Sequence, residues 1–374
     1  MTTRDTADAL IIGGGLIGLA VAAALERRGI TAIVLDDARH GLASPAAGGM
    51  LAPGVDRPDT PGHGAATAAR ALYPEYLAWL RARTGIAVPL NTNGILQVAV
   101  TPAGVRGLTR AMPTTASWLD AATLGALEPA LAGALGAVHH SHDGAVDNVI
   151  LLEALRTFCS AGASVRIERA TVNSVALRPG GVTVRTEAAR TFLGRHVVLA
   201  AGAWANTIAG LPRHVPVTPL RGQMLAFPPV KLRHVLFGPR GYIIPREYGD
   251  AGSPSPLLGE TLVGATSEDV GFDWGTTAAG AAKLRTAAIE IIPALGALTP
   301  RRQWAGLRPM TPDLLPIIGP DAHVPSLLYA CGHSRNGVLF APLTGDIVGA
   351  LVAGERPPVD ITPFSVTRFA PAQV

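Results

Sequence analysis

The pattern of apolar and polar positions near the start of the chain predicts a strand, a turn, a helix and a second strand. Residues 8–12 and 31–35 form short apolar runs that are typical of buried strands. Between them, three consecutive glycines at 13–15 predict a tight turn, and residues 16–28 predict an Ala-rich helix that ends at Gly29. Such a strand–helix–strand unit implies a parallel strand pair with a right-handed crossover.

The same α/β pattern returns in the middle and at the end of the chain, with sheet-like segments between. Residues 41–64 predict a loop with a short helix, and residues 366–374 predict a tail. Further strands are predicted at residues 94–100, 165–167, 172–176, 182–186, 196–201, 223–227, 242–244, 261–265 and 327–330, and further helices at 65–83, 149–161, 283–292 and 344–353. We therefore predict an α/β protein in which two domains are interleaved. A Rossmann-type domain is built from residues 1–84, 143–214 and 302–374, and an antiparallel-sheet domain from residues 85–142 and 215–301.

Composition narrows the function classes. Hydrophobic residues make up 48% of the chain and charged residues 16%, which is typical of a globular protein. The net charge is +4, but the arginines are scattered, so nucleic-acid binding is not predicted. Cys159 and Cys331 lie far apart, which favours two reduced thiols in a cytoplasmic protein rather than a metal site. The uncharged run at residues 9–25 is too short for a membrane span and is interrupted by glycines.

A glycine fingerprint, Gly13-x-Gly15-x-x-Gly18, occupies the first predicted turn. Gly13 permits the tight turn, Gly15 lets the backbone approach a pyrophosphate, and Gly18 lets helix and strand pack closely. The helix N-terminus supplies free N–H groups and a positive dipole end to the phosphates. Asp36 ends the second strand, where a carboxylate would bind a ribose with a free 2′-hydroxyl. The fingerprint predicts dinucleotide binding without separating FAD from NAD.

A second hydrophobic strand runs from His196 into the sequence Ala201-Gly202-Ala203-Trp204. The small residues at its end would bring the backbone close to a ligand. We therefore expect Gly202 and Trp204 beside the nucleotide, although the segment alone would fit any strand–helix junction.

The motifs in the last quarter of the chain carry a family resemblance. They are Trp-Ala-Gly-Leu-Arg-Pro at 304–309, Pro-Ile-Ile-Gly at 316–319 and Gly-His-Ser-Arg-Asn-Gly at 332–337. With the segments at 47–51, 242–246 and 264–266, they resemble the D-amino-acid oxidase and sarcosine oxidase superfamily of FAD-dependent oxidoreductases. Within it, the chain is most similar to the glycine oxidases. The resemblance covers nearly the whole chain and implies the glutathione-reductase-like fold class, with the antiparallel domain binding substrate.

The resemblance implies three residues for the substrate. Arg308 would clamp the substrate carboxylate, since a planar guanidinium suits bidentate recognition of that group. Tyr242 would donate its hydroxyl to the same carboxylate, and Arg335 would add positive charge nearby. For Arg335, a structural salt bridge or a backbone contact in the glycine loop remains an alternative.

The resemblance also implies FAD as the cofactor. The expected FAD-binding residues are Gly13, Gly15, Gly18, Asp36, Gly48, Gly49, Met50, Val172, Gly202, Trp204, Gly332, His333, Arg335, Asn336, Gly337 and Val338. FAD should be bound non-covalently, because residues 304–310 lack the cysteine that tethers it in sarcosine oxidases. No metal is expected. His333 is expected to orient the glycine loop by a hydrogen bond, with a role as a base as the alternative.

The implied reaction is oxidative deamination of glycine and other small amino acids or amines, such as sarcosine, D-alanine and D-proline. A hydride passes from Cα to flavin N5, and the products are an imine or 2-oxo acid, ammonia or an amine, and H2O2 after reaction with O2. The implied role is to supply glycine imine for the thiazole ring of thiamine, with no nucleic-acid or membrane partner. The resemblance also allows a homo-oligomer.

Some points stay open at this stage. Gly48 stands where an alanine is usual and Ser267 where an apolar residue is expected, so the preferred substrate side chain is not determined. Three alternative functions also remain: a D-amino-acid dehydrogenase that passes electrons to a quinone or protein, a flavoprotein that acts on modified tRNA, and an NAD-dependent enzyme.

Overall fold

The computed structural model describes residues 5–56, 59–246 and 259–369. Its strands are β1 (Thr6–Ile12), β2 (Ala32–Asp36), β3 (Met50–Leu51), β4 (Leu90–Asn91), β5 (Ile95–Ala99), β6 (Ser117–Asp120), β7 (Gly136–His140), β8 (Gly144–Val146), β9 (Val165–Arg169), β10 (Val172–Arg178), β11 (Gly181–Thr186), β12 (Thr191–Leu199), β13 (Thr218–Phe227), β14 (Val235–Phe237), β15 (Tyr242–Arg246), β16 (Glu260–Gly264), β17 (Arg302–Met310), β18 (Ile317–Pro320) and β19 (Leu327–Cys331). Its helices are α1 (Leu16–Glu26), α2 (Ala43–Ala46), α3 (His63–Ala71), α4 (Tyr73–Thr84), α5 (Pro102–Ala111), α6 (Ala121–Leu127), α7 (Asn148–Ala161), α8 (Ala278–Ile291) and α9 (Gly337–Ala353).

The first sheet has a parallel centre in the order β19–β12–β1–β2–β9. A hairpin of β10 and β11 continues it on the first half of β12, and β18 pairs antiparallel with β19. The strands therefore come from the start, middle and end of the chain, as the interleaved pattern predicted. The α/β, Rossmann-type fold class is confirmed.

Side-chain alternation along β1 shows how this sheet buries both faces. Ala9 and Ile11 pack into a core shared with α1, α7 and α9, whereas Leu10 and Ile12 pack against β10–β12 on the other face. Small residues bring α1 and α9 close together. A Cβ added at Gly345 would lie 2.5 Å from the carbonyl oxygen of Ala20. The Ala-rich sequence of α1 therefore reflects a buried helix rather than propensity alone.

The second sheet has the order β17–β13–β16–β15–β14–β5–β7–β6 and is antiparallel except between β5 and β14. Helices α6 and α8 pack on one face through a core that includes Leu124 and Leu284. The other face, with Met224 and Ile244, points toward the first sheet. A small third sheet has the order β3–β8–β4. Along the sequence, its short strands fall between strands of the two larger sheets.

Several predicted elements are wrong in extent. The helix expected at 65–83 is two helices, α3 and α4, since Pro74 has no N–H to continue the helical hydrogen bonds. The strand expected at 196–201 begins earlier, at Thr191, where its first half pairs with β11. The expected tail includes short 3-10 turns in which Val366 is buried, while residues 370–374 lie outside the described part.

The predicted domain boundary at residue 302 falls at the first residue of β17. That strand pairs with β13 along its whole length, from Arg302 opposite Ala226 to Met310 opposite Thr218. Because β17 is an edge of the second sheet, we propose to move residues 302–310 from the nucleotide-binding domain to the substrate-binding domain.

Candidate active site

A cavity of about 560 Å³ is lined by residues of both large sheets, a size typical of small-molecule and cofactor sites. It runs from the end of β2 past the N-terminus of α1 to the inner face of the second sheet. Of the residues predicted to bind cofactor or substrate, it is lined by Gly13, Gly15, Asp36, Gly48, Gly49, Met50, Val172, Gly202, Trp204, Tyr242, Arg308, Gly332, His333, Arg335, Asn336, Gly337 and Val338. Gly18 lies outside the lining.

The turn between β1 and α1 is built as the fingerprint predicts. Gly13 has a φ of 112°, and a Cβ there would lie 2.3 Å from the carbonyl oxygen of Ala200. A Cβ at Gly18 would lie 1.9 Å from the carbonyl oxygen of Gly13, so Gly18 permits helix–strand packing rather than ligand contact. Helix α1 begins after Gly15, and its N-terminus faces the cavity. The site therefore has the features that hold a pyrophosphate.

The carboxylate at the end of β2 has a partner that the sequence patterns did not reveal. Asp36 is buried and accepts a 2.7 Å hydrogen bond from Nη2 of Arg156, which also donates to the carbonyl oxygen of Gly14. Val172, at the start of β10, lines the same end of the cavity. Arg156 holds Asp36 in the position where a ribose hydroxyl would be bound.

Trp204, which the strand–glycine motif predicts to lie beside the nucleotide, lines the cavity wall. The guanidinium of Arg39 lies over its indole ring, 4.7 Å from the centroid, and Phe272 stacks against it at 5.7 Å. Phe272 comes from the segment between β16 and α8. This aromatic contact therefore connects the segment after β16, in the second sheet, with the segment after β12, in the first.

The glycine loop after β19 leads directly into α9. The closing helix predicted at 344–353 in fact begins at Gly337 and contains Pro342. Pro342 cannot donate to the carbonyl oxygen of Val338, which instead accepts a hydrogen bond from the buried hydroxyl of Tyr73. Asn336 provides no side-chain cap for this helix. Gly337 and Val338 line the cavity, so the positive end of the helix dipole faces it.

His333 is buried beneath this loop and its Nε2 lies 3.0 Å from Oγ1 of Thr344. The loop is also fastened to β17, because the N–H of Ser334 donates to the carbonyl oxygen of Pro309 at 2.9 Å. These contacts support the predicted role of His333 in orienting the loop.

A pH dependence of stability follows from the burial of His333. Burial lowers the pKa of this histidine to about 3, whereas an unfolded histidine has a pKa of about 6.5. Between these values only the unfolded chain binds the proton, so the stabilisation is complete above pH 6.5 and is lost as the pH falls. We expect the thermal midpoint to decrease less between pH 7 and pH 5 in His333→Gln than in the unchanged protein, measured by circular dichroism. Parallel pH curves would contradict this assignment.

The two predicted carboxylate-binding residues lie side by side on the inner face of the second sheet. Nη1 of Arg308 donates to the carbonyl oxygen of Thr266 at 2.9 Å, and its guanidinium lies close enough to the hydroxyl of Tyr242 to affect the pKa of that group. That hydroxyl also lies 3.4 Å from Sδ of Met224. Burial raises the pKa of Tyr242, although nearby Arg308 opposes the shift, so the hydroxyl keeps its proton for donation.

Arg335 lines the cavity but forms an ion pair with Asp56. Its side chain is 52% exposed, and the pair connects the glycine loop to the segment after β3. Arg335 therefore has both features considered in the sequence analysis: it places a positive charge near the site, and it forms a structural salt bridge. The charge of Asp56 offsets that of Arg335.

A buried arginine that the sequence patterns did not single out supports the wall at Gly48, Gly49 and Met50. Arg246 donates to the carbonyl oxygens of Val146 and Gly48 and to Oδ1 of Asn148, at 2.8 to 3.0 Å. Gly49 has a φ of 80°, and a Cβ there would lie 2.0 Å from the carbonyl oxygen of Val146. The segment is therefore held tightly against β8.

Cys331 and Cys159 are free and buried, and burial raises the pKa of each thiol to about 12. Residues 304–310, without a cysteine, form β17 beside the cavity. We therefore expect acid precipitation of the purified holoprotein to leave all flavin in the supernatant. Flavin that stays with the precipitated protein would contradict non-covalent binding.

The residues that line the cavity have the features expected for FAD. A Cβ at Gly13 would collide with backbone, the buried carboxylate of Asp36 lies beyond this turn, and a second helix N-terminus lies at the glycine loop. Among the described residues, no cluster of His, Cys, Asp and Glu could hold a metal ion. In the same part of the chain, no helix combines the length and apolar character needed to cross a membrane.

Comparisons with known proteins find relatives that match nearly the whole chain. The bifunctional protein ThiO/ThiG of Synechocystis is 36% identical over 98% of this chain, which spans about half (54%) of that relative's length. The glycine oxidase of Geobacillus kaustophilus is 32% identical over 96% of this chain and 97% of its own. The crystal structure of glycine oxidase from G. kaustophilus superposes with a TM-score of 0.88, 30% identity, and coverage of 98% of this chain and 99% of that one.

The family model described as FAD dependent oxidoreductase (DAO) matches residues 8–351. FAD is thereby the cofactor, which removes the NAD-dependent alternative. The match extends over both large sheets and includes the glycine fingerprint, the Arg308 strand and the glycine loop. The chain belongs to the DAO family of FAD-dependent oxidoreductases.

Proposed function

We propose that this protein oxidises glycine and other small amino acids or amines, among them sarcosine, D-alanine and D-proline. The observation that carries the proposal is the Arg308–Tyr242 pair on the inner face of the second sheet. It lies in the same cavity as the glycine loop and the nucleotide fingerprint. A guanidinium and a protonated phenol in contact form a site for a carboxylate.

In the proposed reaction, Arg308 binds the substrate carboxylate and Tyr242 donates a second hydrogen bond to it. Thr266 holds Nη1 of Arg308, which limits the directions that the guanidinium can take. FAD, when bound, would supply the acceptor for the hydride that leaves Cα. The protein contributes orientation and electrostatics, since His333 is buried and engaged with Thr344 rather than available as a base.

Similarity to glycine oxidase supports glycine as the leading substrate, and similarity to ThiO/ThiG supports the supply of glycine imine for the thiazole ring of thiamine. Gly48 and Ser267 line the cavity, and the small side chain of Ser267 would leave room beside the substrate head group. The two free thiols fit the predicted cytoplasmic location.

The proposal is tested by measuring peroxide formation in air with glycine, sarcosine, D-alanine, D-proline and matched L-amino acids. Peroxide with glycine or another small amino acid supports an oxidase. Flavin reduction by the same substrates, with electrons passing only to an added quinone, would instead identify the dehydrogenase alternative. Salt-dependent binding of RNA, with no flavin reduction by any free amino acid, would favour an enzyme of modified tRNA.

The ion pair at the cavity wall predicts a preference for substrates with one carboxylate. In Asp56→Asn, the charge of Arg335 is no longer offset and can attract a second acid group. Since both side chains are partly exposed, we expect only about a two- to five-fold gain in affinity for malonate relative to acetate. Both affinities are measurable from changes in flavin absorbance. An unchanged ratio would contradict a role of Asp56 in substrate charge selection.

A further inference from the structure

The side chain of Arg308 lies directly over a glycine in the neighbouring strand. Strands β13 and β17 pair so that Leu220 is opposite Arg308 and Gly222 is opposite Gly306. Residues two apart on a strand share a face, so Leu220, Gly222 and Met224 point the same way. Because Gly222 and Gly306 both lack a side chain, the surface of the sheet has a depression at this pair, here called the trough, and the guanidinium of Arg308 lies against Gly222 in it.

The distances show how closely this trough fits. A Cβ added at Gly222 would lie 2.4 Å from Nη2, 2.5 Å from Cζ and 2.7 Å from Nη1 of Arg308. Ordinary contact requires at least 3.4 Å, so an added methyl group would displace the guanidinium by about 1 Å. The backbone at Gly222 does not have a positive φ and would accept alanine without strain. All three of these close approaches involve the end of one flexible side chain.

We propose that Gly222 is a positioning residue that sets the height of the Arg308 guanidinium and thereby the place of the substrate carboxylate. The inference rests on the proposed function, in which that guanidinium is the carboxylate clamp. The hydrogen bond to Thr266 and the neighbouring hydroxyl of Tyr242 limit sideways movement of the guanidinium, and the Cα of Gly222, which carries no side chain, lies beneath it.

The neighbouring hydroxyl is seated in the same way. A Cβ at Gly264 would lie 2.5 Å from Oη of Tyr242, and a Cβ at Gly48 would lie 2.9 Å from Cε2 of the same ring. At Gly264 the added atom would also come within 2.4 Å of Sδ of Met224. Gly222 is therefore the cleanest position for a test, because its substitution affects Arg308 alone among the nearest atoms.

The experiment compares Gly222→Ala with Gly296→Ala. Gly296 lies in the same domain, where the nearest atoms to an added Cβ are at 3.7 Å. A misplacement of about 1 Å in a reacting complex can lower the rate by about 10²-fold. We expect Gly222→Ala to lower kcat/KM for glycine by about that factor and to weaken acetate binding at least about tenfold. Flavin content should be retained, and Gly296→Ala should match the unchanged protein.

A double-mutant cycle separates this positioning from general damage. If Gly222 acts through Arg308, Gly222→Ala should add little further loss once Arg308→Ala is present. Full additivity of the two losses, or an unchanged acetate affinity in Gly222→Ala, would overturn the proposal. Should Gly222→Ala fail to fold, folding must return in the double variant with Arg308→Ala, and continued failure would overturn the proposal as well.

Failure of the proposed function has a different signature. In that case the unchanged protein shows no reduction of its flavin by glycine or the other amino acids. The acetate affinities of the variants still report whether Gly222 controls the position of the Arg308 guanidinium.

Discussion

Arg308→Ala is expected to lower kcat/KM for glycine by about 30- to 4,000-fold, while the protein remains folded and binds FAD. Removing one partner of a desolvated, hydrogen-bonded charge pair costs about 2–5 kcal/mol, and each 1.4 kcal/mol is a factor of ten. The flavin should be retained, because the fingerprint and glycine loop are fastened by other contacts such as Ser334 to Pro309. Steady-state kinetics and the flavin-to-protein absorbance ratio measure the two quantities.

Two further variants make this result specific. Arg308→Lys keeps the charge but loses the planar pair of donors, so most of the loss should remain. Arg301→Ala removes an exposed arginine just before β17 and should leave the kinetics unchanged. An Arg308→Ala enzyme with the KM and kcat of the unchanged protein would remove Arg308 from the carboxylate clamp.

Arg246→Met is expected to destabilise the protein by about 3 kcal/mol or more and to lower its flavin occupancy. The substitution leaves the carbonyl oxygens of Val146 and Gly48 and Oδ1 of Asn148 without their donor. Each unsatisfied buried group costs about 1–3 kcal/mol. Burial lowers the pKa of the Arg246 guanidinium, but Asp147 nearby favours its charged form.

Urea unfolding measures the loss, with Arg106→Met as the control. Arg106 lies exposed on α5 in the same domain, so its replacement should change the free energy of unfolding by less than about 0.5 kcal/mol. Because the Gly48–Met50 wall is held by Arg246, loss of flavin should accompany loss of stability. Equal urea midpoints for the two variants would show that the buried hydrogen bonds contribute little.

The sequence predicted those elements whose formation depends on residues close together in the chain. The strand–turn–helix unit around Gly13 could be predicted because glycine spacing, apolar runs and the terminal acid at Asp36 lie within one short segment. The split at Pro74 was missed because the apolar pattern continues through it. The early start of α9 was missed because Pro342 argues against a helix unless a distant hydroxyl, from Tyr73, satisfies the freed carbonyl group.

The residues missed at the site act across long separations in the chain. Arg156 contacts Asp36 over 120 positions, and Arg246 contacts Asn148 over 98. Asp56 meets Arg335 over 279 positions. No periodicity or motif encodes such pairs, because they depend on how the two sheets face each other. Family resemblance supplied Arg308 and Tyr242, and the structure shows that they are neighbours on one face of the second sheet.

The most direct test of the proposed amino-acid oxidation is to mix the purified, flavin-containing protein with glycine under anaerobic conditions and to record absorbance near the flavin maximum. We predict that the flavin absorbance bleaches in a saturable manner with glycine and that acetate competes with this bleaching through the Arg308 site. A flavin that stays fully oxidised with glycine and every other small amino acid or amine, or a protein that binds no FAD, would contradict the account.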